Sequence, residues 1–190
     1  MSTTVQDAPR AQSAATSTTF HTFATVFGLD RRLDAASADH YYDTIDAALK
    51  TPALRPRRLF ERFRIEVLAT TESPTDPLAH HAAIRASGWP GRVITAYRPD
   101  PVVDPEHELF PVEVARFGEL AGEDVASWTG YLAAHRKRRA YFAAHGATST
   151  DHGHPSAATA DLAPAEAARL YARVCNGGAT PAEAEVFRAQ

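Results

Sequence analysis

The stretch Arg64–Asp100 constrains this chain more than any other. Two short apolar runs rich in β-branched residues, Ile65-Glu66-Val67-Leu68-Ala69-Thr70-Thr71 and Arg92-Val93-Ile94-Thr95-Ala96-Tyr97, flank an amphipathic segment of helical period. That order is the pattern of a βαβ unit. Both runs end in polar groups: Thr70, Thr71 and Glu72 after the first, Arg98 and Asp100 after the second. In parallel α/β sheets the chemistry gathers at the carboxyl ends of the strands. The functional reading therefore starts there.

Composition narrows the class. With 190 residues the chain can bury a real core in one domain. Twenty basic residues against 23 acidic ones leave a charge of −3, which excludes a general nucleic-acid binder. No window approaches the roughly 18 apolar residues that a bilayer span needs. The single cysteine, Cys175, excludes an internal disulfide framework and fits a reducing cytosol. A soluble, cytoplasmic α/β protein is expected. Residues 1–18 are rich in Ser, Thr, Ala and Gln and lack the basic start and apolar core of a secretory signal, so a disordered tail is expected there.

From Thr19 the pattern is helical. Phe20, Phe23, Val26 and Phe27 recur at three- and four-residue spacing, and Gly28 is placed as a stop. A second helix is expected from the cap candidate Ser37 to Lys50, and a third from Arg57 to Phe63. After the first strand, Asp76 is a cap candidate for a helix beginning at Pro77 and ending at Ser87-Gly88. Asp100–Phe110 reads as a loop, followed by helices over Pro111–Leu120 and Ser127–His145. Ala147-Thr148-Ser149-Thr150 is expected to be a third, short strand. Helices over Pro164–Val174 and from Pro181, capped by Thr180, complete the chain. Three parallel strands make an incomplete sheet by the usual size of such sheets.

Several blocks resemble the uronate (glucuronate) isomerases of the amidohydrolase-like (β/α)8 barrel group. Phe27-Gly28-Leu29-Asp30 is similar to that family's Phe-Gly-Ile-Asp. Leu59-Phe60-Glu61-Arg62-Phe63 and the strand into Thr70-Thr71-Glu72-Ser73-Pro74 resemble its strand entering Thr-Thr-Asp-Asp-Pro, with both aspartates replaced here. Asp76-Pro77-Leu78 and His81 match a family helix with a histidine at that offset. Tyr97-Arg98-Pro99-Asp100 resembles its Phe-Arg-Pro-Asp, and Ser149-Thr150-Asp151-His152 its Ser-Asp-His. The resemblance covers Phe27 to Gln190. Family members are roughly twice as long, which implies an N-terminal-half fragment: residues 1–18 a tail, 19–63 a helical segment, and 64–190 an incomplete, TIM-type barrel portion with about three parallel strands.

The resemblance implies an intramolecular oxidoreductase that converts an aldose acid to a ketose acid, D-glucuronate to D-fructuronate and D-galacturonate to D-tagaturonate. Such a reaction needs proton transfer between neighbouring carbons, a polarised carbonyl and a cation for the distant carboxylate. Arg98 is the expected carboxylate ligand, since guanidinium binds carboxylate in bidentate fashion; a structural pairing with Asp100 is the alternative. Asp151 is the expected catalytic and substrate-binding acid, with a loop cap as the alternative. His152 and Thr71 complete the expected substrate contacts.

No metal site is expected in this chain, because His152-Gly153-His154 lacks a third ligand. The full-length family implies a divalent metal such as zinc, with its ligands outside these residues. His81 is expected to pack or hydrogen-bond, Glu72 to line the pocket or cap the next helix, and Arg136–Arg139 to form a solvated face. The fragment is expected to be inactive alone. The other function class left open is a non-catalytic remnant or interaction module that self-associates, or pairs with a missing half, through an exposed sheet edge.

Overall fold

The computed structural model describes residues 20–190; the tail expected over residues 1–18 lies outside the described residues. The chain divides into two compact units, at Ile65 and Glu66.

In the first unit, helix α1 covers residues 20–27. It closes as the Phe-x-x-x-x-Gly pattern demands: Gly28 takes φ +70°, and Leu29 N donates to Phe23 O at 3.0 Å. A left-handed residue at that place satisfies the orphan carbonyls of the last turn. Helix α2 spans Ala38–Leu49, a 3-10 turn spans Pro52–Leu54, and α3 spans Pro56–Arg62 with proline at its first position. Ser37 flanks α2 as expected, but its hydroxyl makes no capping bond. It donates instead to Arg32 O at 2.8 Å, within a turn whose amides are held by the Asp34 carboxylate.

In the second unit, β1 (Val67–Glu72) and β2 (Arg92–Tyr97) run parallel, in register from Val67 opposite Arg92 to Glu72 opposite Tyr97. Between them lies α4 (Ala79–Ala86). It starts two residues later than Pro77, because Leu78 is left-handed at φ +53° and its amide donates to Asp76 Oδ1 at 2.6 Å. The stretch after Asp100 is not all loop: Asp100–Val103 forms the single turn α5. Helices α6 (Phe110–Ala121), α7 (Trp128–Ala144), α8 (Pro164–Cys175) and α9 (Pro181–Ala189) follow. Ser127 caps α7 by accepting from Gly130 N, and Thr180 with Glu183 forms a capping box on α9.

The expected third strand is corrected to a single parallel bridge, Thr150 opposite Tyr97. Tyr97 N donates to Ser149 O and Asp151 N to Tyr97 O, but Thr148, Ser149 and Thr150 are exposed, and Gly146 at φ +97° precedes them. A run with no apolar face has nothing to gain by extending the ladder. The sheet among the described residues thus has two strands, not three.

The helices close the main core. Val102, Phe110, Val114, Phe117, Tyr131 and Tyr171 form it with Phe187 from α9. A smaller cluster of Leu78, Tyr97 and Phe142 joins α7 to the end of β2. Arg138, expected on a solvated face, is buried: Nε donates to Pro74 O at 2.7 Å and Nη2 to Asp76 O at 2.9 Å. The helix side that carries it faces the loop after β1, and the two carbonyls there are satisfied by its fork of donors.

Candidate functional site

β1, β2 and the bridge at Thr150 bring their polar ends to one place. Thr71 Oγ1 donates to Asp151 Oδ2 at 3.2 Å, although 80 residues separate them. Arg98 Nη1 lies 3.7 Å from the same carboxylate oxygen, and Arg98 Nε donates to Asp100 Oδ2 at 3.1 Å. Asp100 Oδ1 accepts from Gly153 N at 2.6 Å. The pairing with Asp100 that was the alternative for Arg98 is therefore present, and it orients the guanidinium toward Asp151. Arg98 and Asp151 are both close to half-exposed, so the cluster opens to solvent and to a ligand.

Three of the four expected residues, Thr71, Arg98 and Asp151, meet. His152 follows Asp151 but pairs with another ring: its centroid lies 5.0 Å from that of His154. Burial first, and the His154 charge second, hold His152 below the ordinary histidine range.

Sequence reasoning missed Gly153. A Cβ there would lie 2.5 Å from Arg98 Nη2 and 2.7 Å from Asp100 Oδ1, so a larger residue would push the ends of that pair aside. Its signal was its place between two histidines straight after Asp151.

Glu72 neither lines this cluster nor caps α4. It accepts from the Thr95 hydroxyl, and His81 Nε2 lies 3.6 Å from its other oxygen. His81 is buried, and its Nε2 is 2.9 Å from Thr70 Oγ1. This network ties the two strands to α4. His135, behind β2, is buried against Phe117 and Tyr131, with Nδ1 3.0 Å from Tyr97 Oη. Burial, with the Arg139 charge second, lowers its pKa to about 3. Among the described residues no group of three or more His, Cys, Asp or Glu side chains is placed to hold a metal ion. By themselves these residues do not offer the ligand set of the divalent metal that the resemblance implies.

A parallel strand pair with a cation and a carboxylate at its carboxyl end is the arrangement of an α/β protein that handles small polar ligands. A family model described as UxaC, glucuronate isomerase, matches residues 16–190, beginning upstream of Phe27. The chain belongs to the glucuronate isomerase family. It is 72% identical over 170 residues to a uronate isomerase of Xanthomonas axonopodis pv. citri (strain 306), covering 90% of this chain and 36% of the relative. A uronate isomerase of Phenylobacterium zucineum (strain HLK1) is 63% identical over 170 residues. The crystal structure of glucuronate isomerase from Caulobacter crescentus superposes with a TM-score of 0.81 at 58% identity, over 90% of this chain and 36% of that one. The uronate isomerase of Thermotoga maritima, at 23% identity and a TM-score of 0.76, shares the fold. The chain spans about a third of the length of the relatives it matches. No helix among the described residues is long and apolar enough to cross a membrane.

Proposed function

We propose that this chain supplies the N-terminal part of a hexuronate aldose–ketose isomerase, a portion of an amidohydrolase-like (β/α)8 barrel acting in the cytoplasm. The observation that carries this reading is the 72% identity over 90% of the chain to a named uronate isomerase. Arg98 takes the sugar carboxylate in bidentate fashion, held at the required angle by Asp100. Asp151, fixed by Thr71, accepts a sugar hydroxyl or moves the proton between neighbouring carbons. His152 lies beside it as a further contact to the sugar. The cluster lacks a group to polarise the carbonyl, and any divalent cation would take its ligands from segments other than these. The chain alone is therefore inactive on D-glucuronate and D-galacturonate.

The test exchanges residues 20–190 for the matching segment of the Xanthomonas relative. The exchanged enzyme turns over glucuronate, read as ketose formation, and Arg98→Met lowers kcat/KM by about 100-fold or more, the scale of losing a charged substrate contact. Turnover by the 190-residue chain alone would overturn the inactivity, and unchanged kcat/KM in Arg98→Met would remove the role given to Arg98.

A second reading has its own observation. Val67 and Leu68 on β1 are 40% and 43% exposed, and the outer edge of β1 has no strand partner among the described residues. An open apolar edge is a template for pairing. This supports a non-catalytic module that associates with itself or with a missing half; a monomer in gel filtration across a range of concentrations argues against self-association.

A further inference from the structure

The layer between β1 and α4 holds polar side chains that touch none of the proposed substrate contacts. Side chains alternate along a strand, so Thr71 faces Asp151 while Thr70 and Glu72 face α4. There Glu72 accepts from the Thr95 hydroxyl, and its other carboxylate oxygen lies 3.6 Å from His81 Nε2. The same His81 nitrogen is 2.9 Å from Thr70 Oγ1. Thr95 is fully buried and His81 nearly so. Parallel strands ordinarily meet their covering helices through apolar side chains, as Tyr97 meets Leu78 and Phe142. A carboxylate in such a layer is costly unless its partners hold it. Once they do, the network is rigid and admits one arrangement.

Its position gives that rigidity a use. Glu72 is the last residue of β1, where a strand frays. Its carbonyl accepts from Arg98 N at 3.0 Å, closing the ladder to β2. Thr71, one residue back, is exposed, and its hydroxyl donates to the Asp151 carboxylate. At a fraying strand end that bond would be lost for part of the time. With Thr70 and Glu72 pinned on either side, the backbone that carries Thr71 keeps one pose. Arg98 is held separately, by Asp100.

We propose that Glu72 is a positioning residue for the isomerisation: clamped by Thr95 and His81 on the helix side of the sheet, it fixes the end of β1 and, through Thr71, the Asp151 carboxylate. The proposal rests on the reading of Asp151 as the acid that meets the sugar.

The test uses the Xanthomonas relative carrying residues 20–190 of this chain. Thr95→Val removes the hydroxyl that holds Glu72, and Thr95→Ser keeps it. Glu72→Met and Thr95→Val lower kcat/KM by about tenfold or more, the scale of a misplaced catalytic group, and split the change between kcat and KM as Thr71→Val does. Thr95→Ser stays within about threefold of the parent. Adding Glu72→Met to Thr71→Val brings no further loss, because both act on the same bond. Circular dichroism is unchanged throughout; should Glu72→Met unfold, the Thr95 pair decides. An exchanged enzyme that has no turnover before any substitution counts against the isomerase reading itself. The positioning is then read in the 190-residue chain from the side-chain carboxyl NMR resonance of Asp151, which Glu72→Met moves toward its place in Thr71→Val. Unchanged kcat/KM in Glu72→Met and Thr95→Val, equal losses in Thr95→Ser and Thr95→Val, additive losses with Thr71→Val, or an Asp151 resonance that Glu72→Met leaves in place overturns the proposal.

Discussion

The two strands of the sheet lie side by side in register, yet they live in different surroundings. β2 is covered: Thr95, Ala96 and Tyr97 are buried, and Tyr97 is wedged between Leu78 and Phe142. β1 is bare along Val67, Leu68 and Ala69. Parallel strands are normally buried on both faces. Helices α5–α9 thus complete a core on the β2 side only, and the described residues leave the apolar side chains of β1 uncovered.

Four measurements test that contrast. Phe117 is fully buried on the helical side, and Phe117→Ala should cost about 3–5 kcal/mol in urea unfolding. If it costs under about 1 kcal/mol, comparable to a surface change, the helical core is not the stabilising half. Arg138→Met leaves the carbonyls of Pro74 and Asp76 unpaired in a buried place and should cost about 2–3 kcal/mol. A neutral result would mean that water takes over both carbonyls.

The third measurement concerns pH. His135 has a folded pKa of about 3, below its ordinary 6.5, so the unfolded chain takes up the proton first as pH falls. Its contribution is complete above pH 6.5 and is lost progressively down to about pH 3, by at most about 1.4 kcal/mol per pH unit. His135→Gln should flatten the stability profile between pH 6.5 and 5, before carboxylates titrate; an unchanged slope sinks the assignment. The smallest effect belongs to β1. Leu68→Lys should change unfolding free energy by less than about 0.5 kcal/mol while reducing any concentration-dependent association seen by sedimentation. A loss as large as that of Phe117→Ala would show that β1 is covered after all.

Much of the chain's local order is legible in its residues. Gly28, Pro56, Ser127, Thr180 and Pro181 mark helix ends that stand within a residue or two of where their chemistry puts them. Where such marks misled, a longer-range contact had intervened. Asp76 caps a left-handed Leu78 rather than Pro77, because Leu78 is needed in the cluster under Tyr97. Ala147–Thr150 forms one bridge rather than a strand, because only Ala147 packs on the Tyr97 cluster while Thr148, Ser149 and Thr150 are exposed. Arg138 looked like one member of a charged run, and only the loop after β1 folding over α7 gives it two carbonyls to hold.

The βαβ unit, most of the helix ends and the family are set by the amino-acid sequence, since these rest on short-range periodicity and on blocks of residues in fixed order. The family blocks gathered Thr71, Arg98 and Asp151 around one substrate, and the folded chain sets how they pair. Thr71 reaches Asp151 across 80 residues, Gly153 N donates to Asp100 beside Arg98, and His154 lines a cavity beside α7. Spacing along a chain records what a helix or strand will do within a few turns. It carries no record of which ends the packing of β2 on α7 will bring together, because that is set by the burial of Tyr97, Phe142 and Leu78 as a unit.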